Sequence, residues 1–329
     1  MLTYSTALST LQSLSGVVSS DTTNSALLIQ FWNDSRRTVA GMNGGKWPWL
    51  EVDESALTVA SQEYVDIPNH IGRVMSVRQQ NGSASTDVIY IPRMIFDSGM
   101  WDAILAQLLG SSDVPFFCYQ RNNRLYIQPV PSTSGYYVWL RGRLKIRDIN
   151  IADYSTGTIT TISNGATTVT GSGTTWTTSM AGRYIRITET DAALGGDGYW
   201  YEIASVASAT SLTLKKKYQG TSIAAGSAAY TIGLITYEPE QYQMAPIYRA
   251  LATYWDFKEN DNLSLKYWQL YDGGFERGKR DSPGGMISQM LEEANESMEG
   301  PYLSPVPRSG EMLGYPPYWL PYNDASGLT

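Results

Sequence analysis

Between Pro131 and Pro239 the chain contains no proline, and from about residue 155 to 234 it is rich in Thr, Ser, Ala and Gly and poor in charge. Apolar and aromatic residues return there at short intervals, in GTITTI, TTVTG, RYIRIT, YWYEIASV, SLTLKKKY and AAYTIG. A solvated linker has no use for Val169, Trp176, Tyr184, Ile185 and Ile187 at such spacing. Asn164-Gly165 lies between the first two runs and is a strong hairpin signal, while VASAT turns the chain between Ile203 and Leu212. Short strands punctuated by turns predict a small antiparallel sandwich or barrel, with Gly171 and Gly173 at a bend.

The flanking sequence follows a different period. Leu8, Leu11 and Leu14 predict a helix ending near Gly16, and Leu28, Phe31, Trp32, Ser35 and Val39 predict a second that opens at SSDTTNS and stops at GMNGGKWPW. From Trp47 to about Ile149, EYVDIP, GRVMSVRQ, DVIYIP, NRLYIQPV and YYVWLRGRLKI read as a mostly antiparallel sheet. One helix, SGMWDAILAQLLGS, interrupts it, with Trp101, Leu105 and Leu108 on one side. Gln80-Asn81-Gly82 and Arg121-Asn122-Asn123 fit hairpin turns. After YEPEQY, Met244, Tyr248, Leu251 and Trp255 predict one face of a helix of about five turns. Leu265, Trp268 and Phe275 predict an antiparallel partner ending near Gly278, and MISQMLEEANESM a shorter acidic helix.

The fold class is therefore α+β: a helical layer from an N-terminal and a C-terminal helix pair, a mostly antiparallel sheet, an inserted all-β sandwich or barrel, and an extended C-terminal arm. Residues 1–154 and 235–282 form the expected core, 155–234 the insertion, and 283–329 the extension. With 329 residues, 42% hydrophobic and 17% charged, the chain is long and apolar enough for more than one core.

The last thirty residues hold Pro301, Pro305, Pro307, Pro316, Pro317 and Pro321, which exclude helix and central strand and favour extended polyproline-like backbone. Tyr302, Tyr315, Tyr318, Trp319 and Tyr322 are interleaved with them. Large aromatics at this density suit an arm laid into the grooves of a partner, so Tyr302, Tyr315, Pro316, Pro317, Tyr318, Trp319 and Tyr322 are the candidate partner-binding residues. An arm folded back on its own chain uses the same anchors. Across the chain, 23 Tyr and 10 Trp against 6 Phe favour interfaces over a purely dry interior.

Little in the sequence points to catalysis. The single histidine, His70, sits in DIPNHIG with no Cys or His partner nearby, and the single cysteine, Cys118, lies in the apolar run VPFFCY. One cysteine allows no intrachain disulfide and suits a reducing compartment. GSGTTW lacks the lysine and the strand-to-helix context of a phosphate loop, and ALGGDGYW lacks the repeated acids of a Ca²⁺ loop, so it reads as a hairpin tip. Asp53/Glu54 and Glu238/Glu240 are carboxylate pairs of the kind any acidic protein carries. Lys215-Lys216-Lys217 reads as a solvated strand end. The expectation is no enzyme, no cofactor and no metal. No signal peptide and no run of about 18 apolar residues is seen, so no membrane span is expected. The net charge is −7; residues 281–329 carry seven acids against Arg308, leaving the first 280 residues nearly balanced. That distribution is unlike the basic footprint of a nucleic-acid reader.

Three stretches together resemble the head-to-tail adaptor, or connector, proteins of tailed bacteriophages. TALSTLQSLSGVVSSDTTNSALLIQFWNDSRRTVAGMNGGKWPWLE is similar to their N-terminal signature. GATTVTGSGTTWTTSMAGRYIRI, continued by YWYEIASVASATSLTLKKKYQGTS and AAYTIG, resembles a β module recurrent in phage connector and tail proteins. YRALATYWDFKENDNLSLKYWQLYDGGFERG resembles their C-terminal helical layer, and the proline-aromatic tail matches no motif. The resemblance implies a structural virion protein at the head-tail junction, assembled in the host cytoplasm as a homo-oligomeric ring, commonly a dodecamer. Its implied partners are the portal above and a tail component below (nozzle, stopper or tail tube), with double-stranded DNA passing through without sequence-specific binding. The acidic C-terminal segment would then line the channel or reach the portal. A tail or baseplate component carrying the same β module is the alternative. A carbohydrate-binding or hydrolytic virion protein comes third and would expose aromatics such as Trp176 or Trp200 on one sheet face.

Overall fold

A computed structural model of the chain describes residues 1–80, 89–108, 114–188, 196–224, 227–273 and 285–298. The fold is mixed α+β, with six α-helices and three sheets among the described residues.

The chain opens on α1 (Tyr4–Ser15) and α2 (Thr22–Gly41). Thr3 caps α1 by accepting from the Thr6 amide, and Gly16 ends it in the left-handed region at φ 73°, which glycine adopts without steric cost. Asp21 caps α2, accepting from the Asn24 amide at 3.0 Å. The two backbone and side-chain bonds from Asn24 hold the Asp21 carboxyl below its usual range. Leu28, Trp32, Ser35 and Val39 are buried as the spacing predicts, whereas Leu14 is exposed. Three steps of 100° leave each leucine of the 8-11-14 series 60° behind the last, so the series drifts off the buried face.

Residues 51–144 build two four-stranded sheets packed face to face, where the sequence suggested one. One has the order β1–β8–β3–β4, from β1 (Glu51–Leu57), β3 (Ile71–Gln80), β4 (Ile89–Tyr90) and β8 (Tyr137–Leu144), all antiparallel. The other has the order β2–β7–β6–β5, from β2 (Tyr64–Asp66), β5 (Arg93–Ile95), β6 (Phe117–Arg121) and β7 (Arg124–Gln128). Its β5–β6 pair is parallel, because α3 (Ser98–Gln107) carries the chain back between them. Alternate side chains of both sheets meet in one core: Val65, Ile71, Val74, Val77, Cys118, Leu125, Ile127, Val138 and Leu140. Arg121-Asn122-Asn123 turns the β6–β7 hairpin, with Asn122 at φ 54°.

The Thr/Gly-rich stretch folds as a six-stranded sheet of order β14–β11–β12–β13–β10–β9. Its strands are β9 (Thr158–Thr161), β10 (Thr168–Ser172), β11 (Tyr184–Ile187), β12 (Trp200–Ser208), β13 (Ser211–Leu214) and β14 (Tyr230–Gly233). The sheet curls into a half-barrel, and its edges are stitched by isolated bridges between Tyr154 and Ile232, Ile159 and Ala228, and Ile162 and Ile223. Inside lie Ile159, Val169, Trp176, Ile185, Ile187, Ile203, Leu212, Leu214, Tyr230 and Ile232. At Gly171 the β10 register shifts, and a Cβ there would stand 2.9 Å from the Trp176 ring, so the bend that seats this indole needs glycine.

Helices return with α4 (Met244–Phe257), α5 (Asp261–Asp272) and α6 (Met286–Met298). α4 has about four turns, and its buried stripe runs through Ile247, Ala250, Leu251 and Tyr254, rotated from the face the spacing of Met244, Tyr248 and Trp255 suggested. On α5 the buried side chains are Ser264, Tyr267 and Tyr271 while Leu265 is exposed, and the helix ends at Gly273 (φ 87°) rather than near Gly278. Phe275 and Gly278 themselves lie outside the described residues. α1, α2, α4 and α5 share one apolar core with Ile149 and Leu234. A neighbouring cluster joins Val39, Trp47, Leu50, Ala245 and Tyr271 to Ile287 and Met290 of α6.

Candidate functional site

A buried polar constellation centres on the segment Trp32-Asn33-Asp34-Ser35-Arg36-Arg37 of α2, which grips both chain passages leading to and from the half-barrel. On the outgoing passage, Asn33 accepts from the Ile149 amide at 2.9 Å and donates to the Asn150 side chain at 2.8 Å. Arg36 donates to the Arg147 carbonyl at 3.0 Å, and Arg37 pairs with Asp148 and Asp34. On the returning passage, Arg36 meets Glu238 at 3.4 Å, both side chains being almost inaccessible to solvent. The Arg36 guanidinium also lies over the Trp32 ring, 5.2 Å from its centroid. One nitrogen of Arg36 (Nη2) and one oxygen of Glu238 (Oε2) remain buried without a hydrogen bond. The N-terminus completes the clamp: Leu2 and Thr236 exchange two hydrogen bonds of 3.0 Å, and Thr3 donates to Asp153.

A second tie joins the half-barrel to the first sheet. Lys215 bonds Glu54 of β1 at 2.8 Å and approaches Glu202 of β12 at 3.4 Å, while His70 stands 3.3 Å from the same Glu54. Burial works against the Lys215 charge, but the hydrogen bond to Glu54 and the field of Glu202 outweigh it and raise its pKa. Lys215, Lys216 and Lys217 are all exposed, as expected of a solvated strand end, and Lys215 is in addition anchored to Glu54. Asp53, the cross-strand neighbour of Arg141, is held below the usual carboxylate range by its two bonds to that guanidinium, 2.9 and 3.2 Å long. Asp53 and Glu54 therefore have separate cationic partners. Glu238 is paired with Arg36, and Glu240 sits at the surface 3.9 Å from the N-terminal amine.

Cys118 is fully buried, and burial pushes its thiol up to about 12, so it stays a thiol at neutral pH. Among the described residues no group of three or more His, Cys, Asp or Glu is placed to hold a metal ion. Asp197 accepts from the Tyr201 hydroxyl and the Tyr199 amide, tying off one side of the expected hairpin tip, whose residues 189–195 lie outside the described residues. Trp176 is a core residue, donating to the Tyr230 hydroxyl at 2.9 Å. Trp200 is half-buried beside the Arg186 guanidinium. Neither presents an open stacking platform of the kind a sugar needs.

The aromatic-proline residues singled out in the sequence, Tyr302, Tyr315, Pro316, Pro317, Tyr318, Trp319 and Tyr322, lie outside the described residues. An exposed apolar surface and further single apolar side chains went unread in the sequence. Around edge strand β5, Ile91 (77% exposed), Phe96 (70%), Met100 and Phe116 face solvent. Phe257 (61%) at the end of α4 and Leu265 and Leu270 on α5 are also exposed. An edge strand bordered by large apolar side chains is a surface proteins ordinarily cover. The only hint in the sequence is that IPRMIF and VPFF carry more apolar residues than the alternation of a two-faced strand can bury. A shallow concavity of about 710 Å³ beside the clamp is lined by Arg37, His70, Lys145 and Arg147, with the Arg37 charge offset by Asp34 and Asp148. No helix among the described residues is long and apolar enough to cross a membrane.

No protein-family model matches the chain, and no curated protein is significantly similar to it.

Proposed function

We propose that the chain is a structural virion protein of the head-to-tail adaptor type, a ring-forming subunit that sits beneath the portal, extends the DNA channel and docks the tail. The observation that carries this reading is the clamp. The WNDSRR segment that contributes to the resemblance is the segment that fastens the half-barrel's two passages to the helical layer. Such a residue set is explained by a need to hold two parts in fixed register under load, which suits a subunit that transmits force between head and tail. The apolar surface at β5 supplies a face for a neighbouring copy. Near-neutral charge over the first 280 residues and −6 beyond them leave the DNA path without an adhesive basic wall. The distal aromatics Tyr315, Tyr318, Trp319 and Tyr322, with Pro316 and Pro317, then serve as anchors on the portal or on a neighbouring subunit.

The self-contained core of the half-barrel supports a second reading, a tail or baseplate component carrying the same module. Negative-stain imaging of the purified chain, alone and mixed with portal, tests the first reading: rings that cap the portal are expected. A chain that ignores portal contradicts it. Label on the chain at the far end of the tail in intact particles favours the second.

A further inference from the structure

Beside α6 lies an apolar slot of about 250 Å³ walled by Trp47, Trp49, Pro239, Tyr242, Met290 and Glu293. Trp47 is buried and fixed, its indole N–H donating to the Val39 carbonyl at 2.8 Å. Trp49 stacks against it, with centroids 6.0 Å apart and planes inclined by 27°. Unlike its neighbour, the indole N–H of Trp49 is buried with no hydrogen-bond partner. On the polar wall, the Glu293 carboxylate accepts from the Tyr242 hydroxyl and the Gln241 side-chain amide. Rigid aromatic rings and one carboxylate are what a proline-rich strand in the polyproline II conformation with a basic end requires. Its rings lie flat on aromatics, and its carbonyls have no internal partners.

A segment of that chemistry follows directly. The described chain ends at Met298, five residues after Glu293, and residues 301–308 read Pro-Tyr-Leu-Ser-Pro-Val-Pro-Arg. At three residues per turn, Tyr302, Pro305 and Arg308 share one edge. Arg308 is the single base between residues 281 and 329, and the slot's polar wall is acidic. The reach is sufficient within one chain. Five helical residues carry it about 7.5 Å past Glu293, and four extended residues span roughly 13 Å on the way back.

We infer that residues 302–308 occupy the slot of their own chain as a polyproline II segment, with Pro305 against the stacked indoles and Arg308 toward Glu293. The docked segment fixes the base of the C-terminal arm on the helical layer and takes Tyr302 out of the set of outward anchors, leaving residues 315–322 for a partner. The inference concerns a single chain and stands apart from the ring reading.

Trypsin cleaves after Arg308, so native digestion of the full chain reads the docking. Cleavage at Arg308–Ser309, followed by mass spectrometry, is expected to accelerate about tenfold in Trp49→Ala and in the double variant Tyr302→Ala/Pro305→Ala, since proteolysis follows the undocked population. The double variant changes no residue of the described helices. Wild-type protection is expected to be independent of protein concentration. Equal rates in the wild type and the double variant overturn the inference, as does acceleration confined to Trp49→Ala, which would report damage to the core. Protection that grows with concentration also overturns it and assigns the segment to the slot of a second copy.

Discussion

The interior of the half-barrel is closed by aliphatic side chains, Met180, Trp176, Tyr218 and Tyr230, whereas beneath α2 the interior holds Asn33, Ser35, Arg36 and Glu238. The first combines short-range pairings, β9 with β10 and β12 with β13, with a seam between residues 154–162 and 223–232 that closes it within one stretch of chain. The second joins positions far apart in the chain, with Arg36 and Glu238 separated by 202 residues. Apolar contacts are nondirectional and tolerate small slips, which a module with hydrogen-bonded strands can afford. Two chain passages entering a helical layer have no ladder to set their register. A buried, directional pair sets it at the cost of desolvating two charges. The half-barrel is held by what it buries, and the clamp by where its polar groups point.

The sharpest way to break this contrast is Arg36→Ala, which leaves Glu238 buried without its cation. A loss of about 3–5 kcal/mol is expected in denaturant unfolding. The double variant Arg36→Met/Glu238→Leu should recover most of that stability but lose protection of the 147–150 and 234–238 amides in hydrogen exchange. If the double variant is as unstable as the single one, the pair stabilises and does not merely register. Next in size is Trp176→Phe, which leaves a gap at the Gly171 bend and removes the donor to Tyr230, for about 1–3 kcal/mol. Its effect should stay within residues 154–232, and exchange that spreads to α2 would dissolve the distinction between the regions. The smallest expected effect is at the outer tie. Lys215→Met should cost under about 1 kcal/mol, because the lysine is half-exposed and solvent screens the pair. The folded-state pKa of Lys215 is raised, so its contribution is complete at neutral pH. It is lost only as pH climbs through the raised value, and wild type and Lys215→Met should converge in strongly alkaline buffer.

Local chemistry made much of this architecture legible. Asp21 and Gly16 mark helix ends by capping, and MISQMLEEANESM coincides with α6. Asn164-Gly165 and Ala209-Thr210 connect paired strands where the turn residues suggested. What failed depended on partners distant in sequence. The split of residues 51–144 into two packed sheets is invisible to a period of two, which marks an inward face without naming the opposite layer. Spacing puts Leu265 on the inward face of α5, but Tyr267 is buried there instead, beside Tyr248 and with its hydroxyl donating to the Leu14 carbonyl, partners that spacing cannot name. Of the candidate site, the WNDSRR stretch was noticed as a resemblance, but its partners Arg147, Ile149 and Glu238 were not readable from spacing. The exposed residues at β5 were missed because composition cannot distinguish an apolar side chain that is buried from one awaiting a neighbour.

The most direct test of the ring-forming adaptor reading is the mass of the purified chain in solution with portal, by sedimentation or light scattering. A ring-forming adaptor gives a complex heavier than portal by close to a whole ring of subunits, twelve on the resemblance to adaptor proteins, at 36.4 kDa each. Sedimentation of the chain as a free 36.4 kDa species beside unaltered portal would contradict it.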